Sequence, residues 1–218
     1  MALELELKLK VPDKYAAQRL CEDSDILLYA QEPLREMRME AIYYDTSSHA
    51  LTQRKWSLRI RREDERLVAT FKCNRPGKVE KGLFFRDEWQ CEISAGENPL
   101  LVAERLVEEG APRELLEILE NAELEERCRI RYLRRLAVLR LPKGLTCEFS
   151  LDDGMIYADG KEQEMLEMEL EVLYGDEEQA VALCAAWASR YGLTYEYASK
   201  YERALRLIRS RGNASAER

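Results

Sequence analysis

About eight stretches of this chain alternate apolar and charged residues with a period of two, and that alternation limits what it can fold into. Residues 3–11 read LELELKLKV. On a strand Leu3, Leu5, Leu7, Leu9 and Val11 share one face, and Glu4, Glu6, Lys8 and Lys10 share the other. In WSLRIRRE, Trp56, Leu58 and Ile60 oppose Ser57, Arg59 and Arg61, and in VATFK a single face carries Val68, Thr70 and Lys72. LFFRDEWQCEI, RCRIRYLRRL, LTCEFSLDDG, EMLEMELEVL and the less regular MRMEAIYYD continue the series. A wet outer sheet face explains charge on one side, but leaves Glu4 and Glu6, two residues apart, to repel each other unpartnered. Runs of this kind separated by turn residues predict a mainly β, α+β protein. The expected architecture is an eight-stranded antiparallel closed β-barrel with helices packed on the outside.

Helical periodicity fills the gaps between strands. Pro12 opens an amphipathic turn that runs to about Cys21, and PLLVAERLVEEG and PRELLEILEN form two short helices separated by Gly110 and Pro112. Acidic residues in the first turn and Gly192 at the end predict a helix from about Asp176 to Tyr191. A last, basic helix is expected in ASKYERALRLIRSRG. No Pro/Gly/Ser-rich linker interrupts this order, so residues 1–210 read as one domain followed by a polar tail, 211–218.

The 218 residues carry a net charge of −8, which argues against a nucleic-acid partner bound through overall charge. The six cysteines form no CxxC pair, and one histidine, His49, cannot complete a mixed zinc site. They read as small buried hydrophobes of a reducing compartment. With no apolar run near the roughly 20 residues of a membrane span, no membrane partner is expected and the cytoplasm is the default location. The sequence leaves a homodimer open.

If helices cover the apolar outside of a barrel, the charged faces point inward and must hold something. Glu4, Glu6, Asp152, Glu167, Glu169 and Glu171 cannot all stay ionised in a confined space without cations. Acidic groups fall on the first, seventh and eighth runs, and basic groups on those between. Oxygen-rich clusters select hard cations such as Mg²⁺ or Mn²⁺, and arginine clusters select phosphates. Together they describe a metal and polyphosphate site.

Several segments in order resemble the CYTH superfamily, the triphosphate tunnel metalloenzymes. They are ELELK at Glu4–Lys8, YYDT at Tyr43–Thr46, LRIR at Leu58–Arg61, TFK at Thr70–Lys72 and RDEW at Arg86–Trp89, followed by the arginine-rich strand. CEFSLDDG, LEMELEVLYGD and SKYERAL complete the set. The likeness is nearest to bacterial inorganic triphosphatases, some of which continue into a helical histidine-rich domain that this sequence does not contain. The resemblance implies that Glu4, Glu6, Asp152, Glu167 and Glu169 are metal ligands, with Glu171 a further possibility of the same parity. It implies that Lys8, Arg59, Arg61, Lys72, Arg86, Arg135 and Lys200 hold the triphosphate, and Arg131 joins them by parity. Glu4, Glu6 and Lys8 form the expected catalytic group. The implied reaction is metal-dependent hydrolysis of inorganic triphosphate, a triphosphate-containing small molecule, to diphosphate and phosphate. Thiamine triphosphatase, class IV adenylate cyclase and a non-catalytic polyphosphate or nucleotide-binding module are the alternatives.

Other polar residues read as structural. His49 is expected in an exposed turn, and Glu88, Glu92 and Glu148 are expected to pair with tunnel arginines. The basic stretch Arg203–Arg211 reads as a solvated helix face, and Lys10 as a solvent contact near the tunnel mouth. Lys78 and Lys81, beside Gly82, are candidates for gating an entrance.

Overall fold

The computed structural model describes residues 2–74, 83–120 and 122–210. Among these residues the strands are β1 (Ala2–Lys10), β2 (Arg35–Thr46), β3 (Trp56–Glu63), β4 (Arg66–Asn74), β5 (Leu83–Ile93), β6 (Leu124–Arg140), β7 (Thr146–Ala158), β8 (Lys161–Tyr174) and the two-residue β9 (Thr194–Tyr195). The sheet order is β5-β4-β3-β2-β6-β7-β8-β1-β9, and β1 also pairs with β5. Glu6–Lys10 of β1 face β8, and Ala2–Leu7 face β5, so eight antiparallel strands form a ring. The expected barrel is therefore present, with β9 adding a short rung to β1.

The helices are α1 (Lys14–Cys21), α2 (Ser24–Tyr29), α3 (Ala50–Gln53), α4 (Pro99–Glu108), α5 (Glu114–Glu120), α6 (Glu177–Tyr191) and α7 (Lys200–Arg209). Local sequence sets their ends. Asp13 accepts from the Ala16 amide at 2.7 Å at the start of α1, Asp176 caps α6, and Gly192 ends α6 at φ 67°, a conformation that favours glycine. The buried Asp45 accepts from the amides of Thr46, Leu51 and Thr52, tying β2 to α3. That accounts structurally for the aspartate of YYDT.

The apolar outer faces of the strands are covered on two sides. Leu5, Leu7 and Leu9 of β1, Phe149 and Leu151 of β7, and Met168 and Leu170 of β8 pack with α1, α2 and α6. Trp187 of α6 meets Phe149 edge-on at 5.8 Å. On the other side Leu58, Phe71 and Trp89 pack against Val102 and Leu106 of α4 and Leu115 and Leu119 of α5. These are the alternating residues that predicted the strands, and their burial is the main term that holds the ring closed.

The barrel interior is not charged throughout. At one end Met39, Ala41 and Tyr43 of β2, Cys128, Ile130 and Tyr132 of β6, Ile156 and Ala158 of β7, and Met165 of β8 form an apolar cluster with Tyr201 and Ala204 of α7. Tyr43 and Tyr201 stack at 4.8 Å, nearly parallel. The last helix is thus a plug inside the ring. This corrects the expectation that Arg203 belongs to a solvated helix face, since Arg203 is buried. It also corrects the facing of β6. Its inward residues are Cys128, Ile130, Tyr132 and Arg134, so Arg131 and Arg135, expected in the tunnel, point outward. Arg131 binds Glu40 at 2.7 Å and Arg135 binds Glu36 at 2.8 Å on the exterior. The physical reason is the plug: where α7 fills the ring, the inward face of β6 must be apolar, and its arginines take the outer face.

The glycine of the DDG segment has a packing cause. A Cβ on Gly154 would stand 2.1 Å from the Arg131 carbonyl oxygen and 2.4 Å from the Tyr132 Cβ across the β6–β7 ladder. Backbone atoms cannot swing aside. Gly154→Ala is expected to destabilise the fold by about 3 kcal/mol, the upper end of overpacking costs, measured as a lowered urea midpoint. An unchanged midpoint would show that β6 and β7 part at this position without cost.

Candidate active site

Strand register sets the inward side chains of β1, β8 and β7 in rows. Glu6 lies opposite Glu171, and Glu171 opposite Glu148. In the next row Lys8 faces Glu169, and Glu169 faces Ser150. One step deeper Glu167 faces Asp152, which faces Arg134 of β6. Period-two alternation on each strand and antiparallel pairing between them are enough to bring these distant residues together.

The deep row is a compensated ion cluster. One oxygen each of Asp152, Glu167 and Glu169 lie within 4.8 Å of one another. The Lys200 ammonium, delivered by the first turn of α7, sits among them, 2.9 Å from Asp152, 2.6 Å from Glu169 and in contact with Glu167. Arg134 grips both Asp152 oxygens at 2.7 Å and Glu169 at 2.7 Å. Arg203 pairs with the other Glu167 oxygen, and Lys8 bridges Glu6 and Glu169 at 3.0 Å each. The side chains supply the cations that these carboxylates need.

Electrostatics follow from that arrangement. Burial works against ionised Glu169, but Lys200, Lys8 and Arg134 outweigh it and hold its carboxyl well below the usual range. Burial likewise opposes the Lys200 charge, and Asp152, Glu167 and Glu169 overcome it, keeping the ammonium well above the ordinary lysine value. Glu88 is depressed against burial by Lys72 and Arg59. Glu148 behaves in the opposite way: burial pushes its carboxyl up, and Arg134 and Arg61 only partly offset this.

Above the cluster opens a cavity of about 400 Å³. One wall carries Glu6, Glu169, Glu171 and Glu148, and the others present Arg59, Arg61, Lys72, Glu88 and Arg134. Lys72 binds Glu88 at 2.7 Å and Arg61 binds Glu63. Arg59 is buried, gives one donor to Thr70 Oγ1 at 3.3 Å, and has its Nε without a hydrogen-bond partner. A smaller hollow of about 50 Å³ continues inward past Arg59 and Lys72 to Lys8, Lys200, Tyr43 and Tyr201.

Of the residues expected to form the site, Glu6, Lys8, Arg59, Arg61, Lys72, Asp152, Glu167, Glu169, Glu171 and Lys200 come together. Arg131 and Arg135 do not. Glu4 and Arg86 stand opposite each other in the β1–β5 ladder, but their side chains, like Lys78, Lys81 and Gly82, lie outside the described residues. Glu88 pairs inside the barrel, with Lys72 rather than with an arginine, whereas Glu92 pairs with Arg66 in the open. His49 is exposed and Lys10 reaches solvent. Arg134 and Arg203 are additions that sequence reasoning missed, while Glu148 lines the cavity, within the tunnel where it was expected. The signal for Glu148 is its parity with Asp152 on β7.

Carboxylate oxygens alone suit a hard ion, but in the deep cluster the position central to all three acids belongs to Lys200. Glu6, Glu171 and Glu148 carry the same oxygen chemistry along the cavity wall, with Lys8 at 3.0 Å from Glu6, so the acids of β1, β7 and β8 together are of the kind a hard ion takes.

Comparison with known proteins agrees with the geometry. The model of the CYTH domain matches residues 2–205. An inorganic triphosphatase of Haemophilus influenzae is 44% identical over 57 residues, which take in 26% of this chain and 16% of that protein's length. Among solved structures, HpAC1 from Hippeastrum, named as an adenylyl cyclase and described as having a dominant triphosphatase activity, superposes with a TM-score of 0.66 and 26% identity over 95% of both chains. The PH1819 protein of Pyrococcus horikoshii shares the fold with a TM-score of 0.54 and 19% identity, over 93% of this chain and 99% of its own.

The opposed shifts of the acids fix a pH dependence. Glu169 and Glu88 bind protons more weakly in the folded protein than an ordinary glutamate at 4.5. The stability they contribute is therefore whole above pH 4.5 and is lost as pH falls through their lower folded values. The melting temperature is expected to drop steeply with acid below about pH 4.5, and Glu169→Gln should make that slope shallower while lowering the neutral-pH value. A variant with the parental slope would show that Glu169 does not carry the linkage.

Proposed function

Because the chain belongs to the CYTH family, we propose that it hydrolyses inorganic triphosphate to diphosphate and phosphate with the help of Mg²⁺ or Mn²⁺. The observation that carries this reading is the cavity whose carboxylate wall faces Arg59, Arg61, Lys72 and Arg134. A chain of phosphates is the small molecule whose charge suits the cationic walls, and a divalent ion is the partner that the acidic wall selects.

The residues divide by what they hold. Glu6, Glu169 and Glu171, with Glu148 beside them, would hold the metal. When bound, the ion supplies Lewis acidity toward phosphate oxygens and acidifies a bound water. Arg59 and Arg61 present forked donors on one strand, and Lys72, Lys8 and Lys200 present point charges along the path inward. Phosphoryl transfer gains most from alignment and from neutralising charge on the phosphate oxygens, so these side chains need no nucleophile among them. Burial of Arg59 keeps water from competing for its donors, which strengthens each bond that a phosphate makes there. Among the described residues, the lining of the large cavity is charged and polar apart from Trp89, which suits the phosphate chain itself.

A phosphate-release panel with inorganic triphosphate, thiamine triphosphate and ATP, with Mg²⁺, Mn²⁺ or chelator, tests the proposal. Triphosphate should be the best substrate and chelator should abolish turnover; a stronger response to either organic triphosphate, or none to any, would overturn it. Glu6→Gln keeps the side chain's shape and removes a ligand charge, so it should fold and lose metal-dependent turnover. Parental turnover in that variant would remove Glu6 from the ligand set. Arg59→Ala should weaken triphosphate binding by roughly 1.5–3 kcal/mol, the range for a charged hydrogen bond, while Mn²⁺ affinity measured calorimetrically without substrate changes little. Metal affinity lost as severely as in Glu6→Gln would mean that the two walls are assigned wrongly.

A further inference from the structure

The deepest ion pair in the barrel joins Glu167, with no exposed surface, to Arg203, which is 6% exposed. Neither borders the large cavity. Their link to it is Lys200, one turn before Arg203 on α7, which touches the second Glu167 oxygen and also lines the small hollow with Arg59 and Lys72. Three carboxylates compete for that one ammonium. Arg134 takes most of Asp152, and Lys8 and Arg134 share Glu169. Glu167 has Arg203 and Lys200 only among the described ion pairs.

We propose that Arg203 is a positioning residue that neutralises Glu167, so that Lys200 stays level with Glu169, where its ammonium reaches the hollow as a phosphate donor. The inference rests on the reading of the cavity as a triphosphate site. Without Arg203 a full buried negative charge remains on Glu167, and at contact distance in a low-dielectric interior it draws the flexible Lys200 side chain inward. The hollow then loses a cation although Lys200 is still present. Arg203 suits this task because its guanidinium stays charged when buried, whereas a lysine could give up its proton. Ser199 and Glu202 fix the first turn of α7 by a reciprocal capping box, so Lys200 can answer such a pull through its side chain while the helix stays in place.

The test is triphosphate binding by calorimetry, with thermal melts to verify folding. Arg203→Met should weaken binding roughly ten- to a hundredfold, as loss of one charged hydrogen bond would, and should weaken it no further when added to Lys200→Ala. The pair Glu167→Gln with Arg203→Met removes the attracting charge together with its partner, and should return affinity to within about threefold of the parent. A simple packing role would leave the double variant no better than Arg203→Met. That result, parental binding by Arg203→Met, or additive losses with Lys200→Ala would overturn the inference. If Arg203→Met does not fold, Arg203→Gln, which keeps a donor but no charge, carries the same expectations. A parental protein that binds no triphosphate would instead sink the functional reading on which the inference stands.

Discussion

The Lys200 ammonium among Asp152, Glu167 and Glu169 is the interaction on which the rest of the molecule depends. Three carboxylates taken from water into one volume cost several kcal/mol each unless cations meet them there. Two of those cations, Lys200 and Arg203, come from the last helix rather than from the ring. The acids of β7 and β8 can therefore be buried only if α7 enters the barrel, and α7 can enter only because its other side chains, Tyr201 and Ala204, meet an apolar inner surface. Charge compensation and hydrophobic burial are thus coupled through ten residues of helix. Neither half of the interior is stable as it stands without the other.

That coupling explains how far the sequence could be read. Alternation identifies the strands because one face of each is buried under helices whatever the other face meets, so the leucines of β1 and β8 were visible at once. It does not say what the second face meets. On β1, β7 and β8 the charged face happens to be the interior, and parity carried Glu6, Glu169 and Asp152 to the right place. On β6 both faces offer arginines, and the choice between them is made by α7, a segment about 70 residues away in the chain. Counting charges on a strand favoured Arg131 and Arg135, whereas the plug makes Tyr132 and Arg134 the inward pair.

The same limit applies to individual roles. Arg203 read as a solvated residue because its neighbours Arg206 and Arg209 are exposed, and only the helical phase relative to Lys200 tells it apart. The run Glu167, Glu169, Glu171 looked like a single ligand strip. Register divides it: Glu167 lies in the deepest row and meets Lys200 and Arg203 of α7, Glu169 belongs to both the cluster and the cavity, and Glu171 stands in the row with Glu6 and Glu148. Parity places a side chain on a face, but depth along the strand, which decides its partners, is fixed only when neighbouring strands come into register.

A consequence of that division is that the barrel has two electrostatic compartments with different work. The deep one is closed on itself, each acid matched by a lysine or arginine, and this fixed network holds its members rigid. The outer one keeps like charges together: Glu6, Glu171 and Glu148 stand side by side across three strands, a pairing that sheets ordinarily avoid, and Arg59 keeps a buried guanidinium nitrogen without a partner. A fold that satisfies three acids with lysines and arginines a few ångströms deeper leaves these three glutamates in one row here, with Lys8 reaching Glu6 from the row below. Like charges held side by side cost stability in the free protein, and under the proposed function a ligand that brings both signs would relieve that cost. The rigidity of the deep cluster then matters to the outer one, because a wall of repelling carboxylates holds its geometry only if the strands carrying it are anchored below.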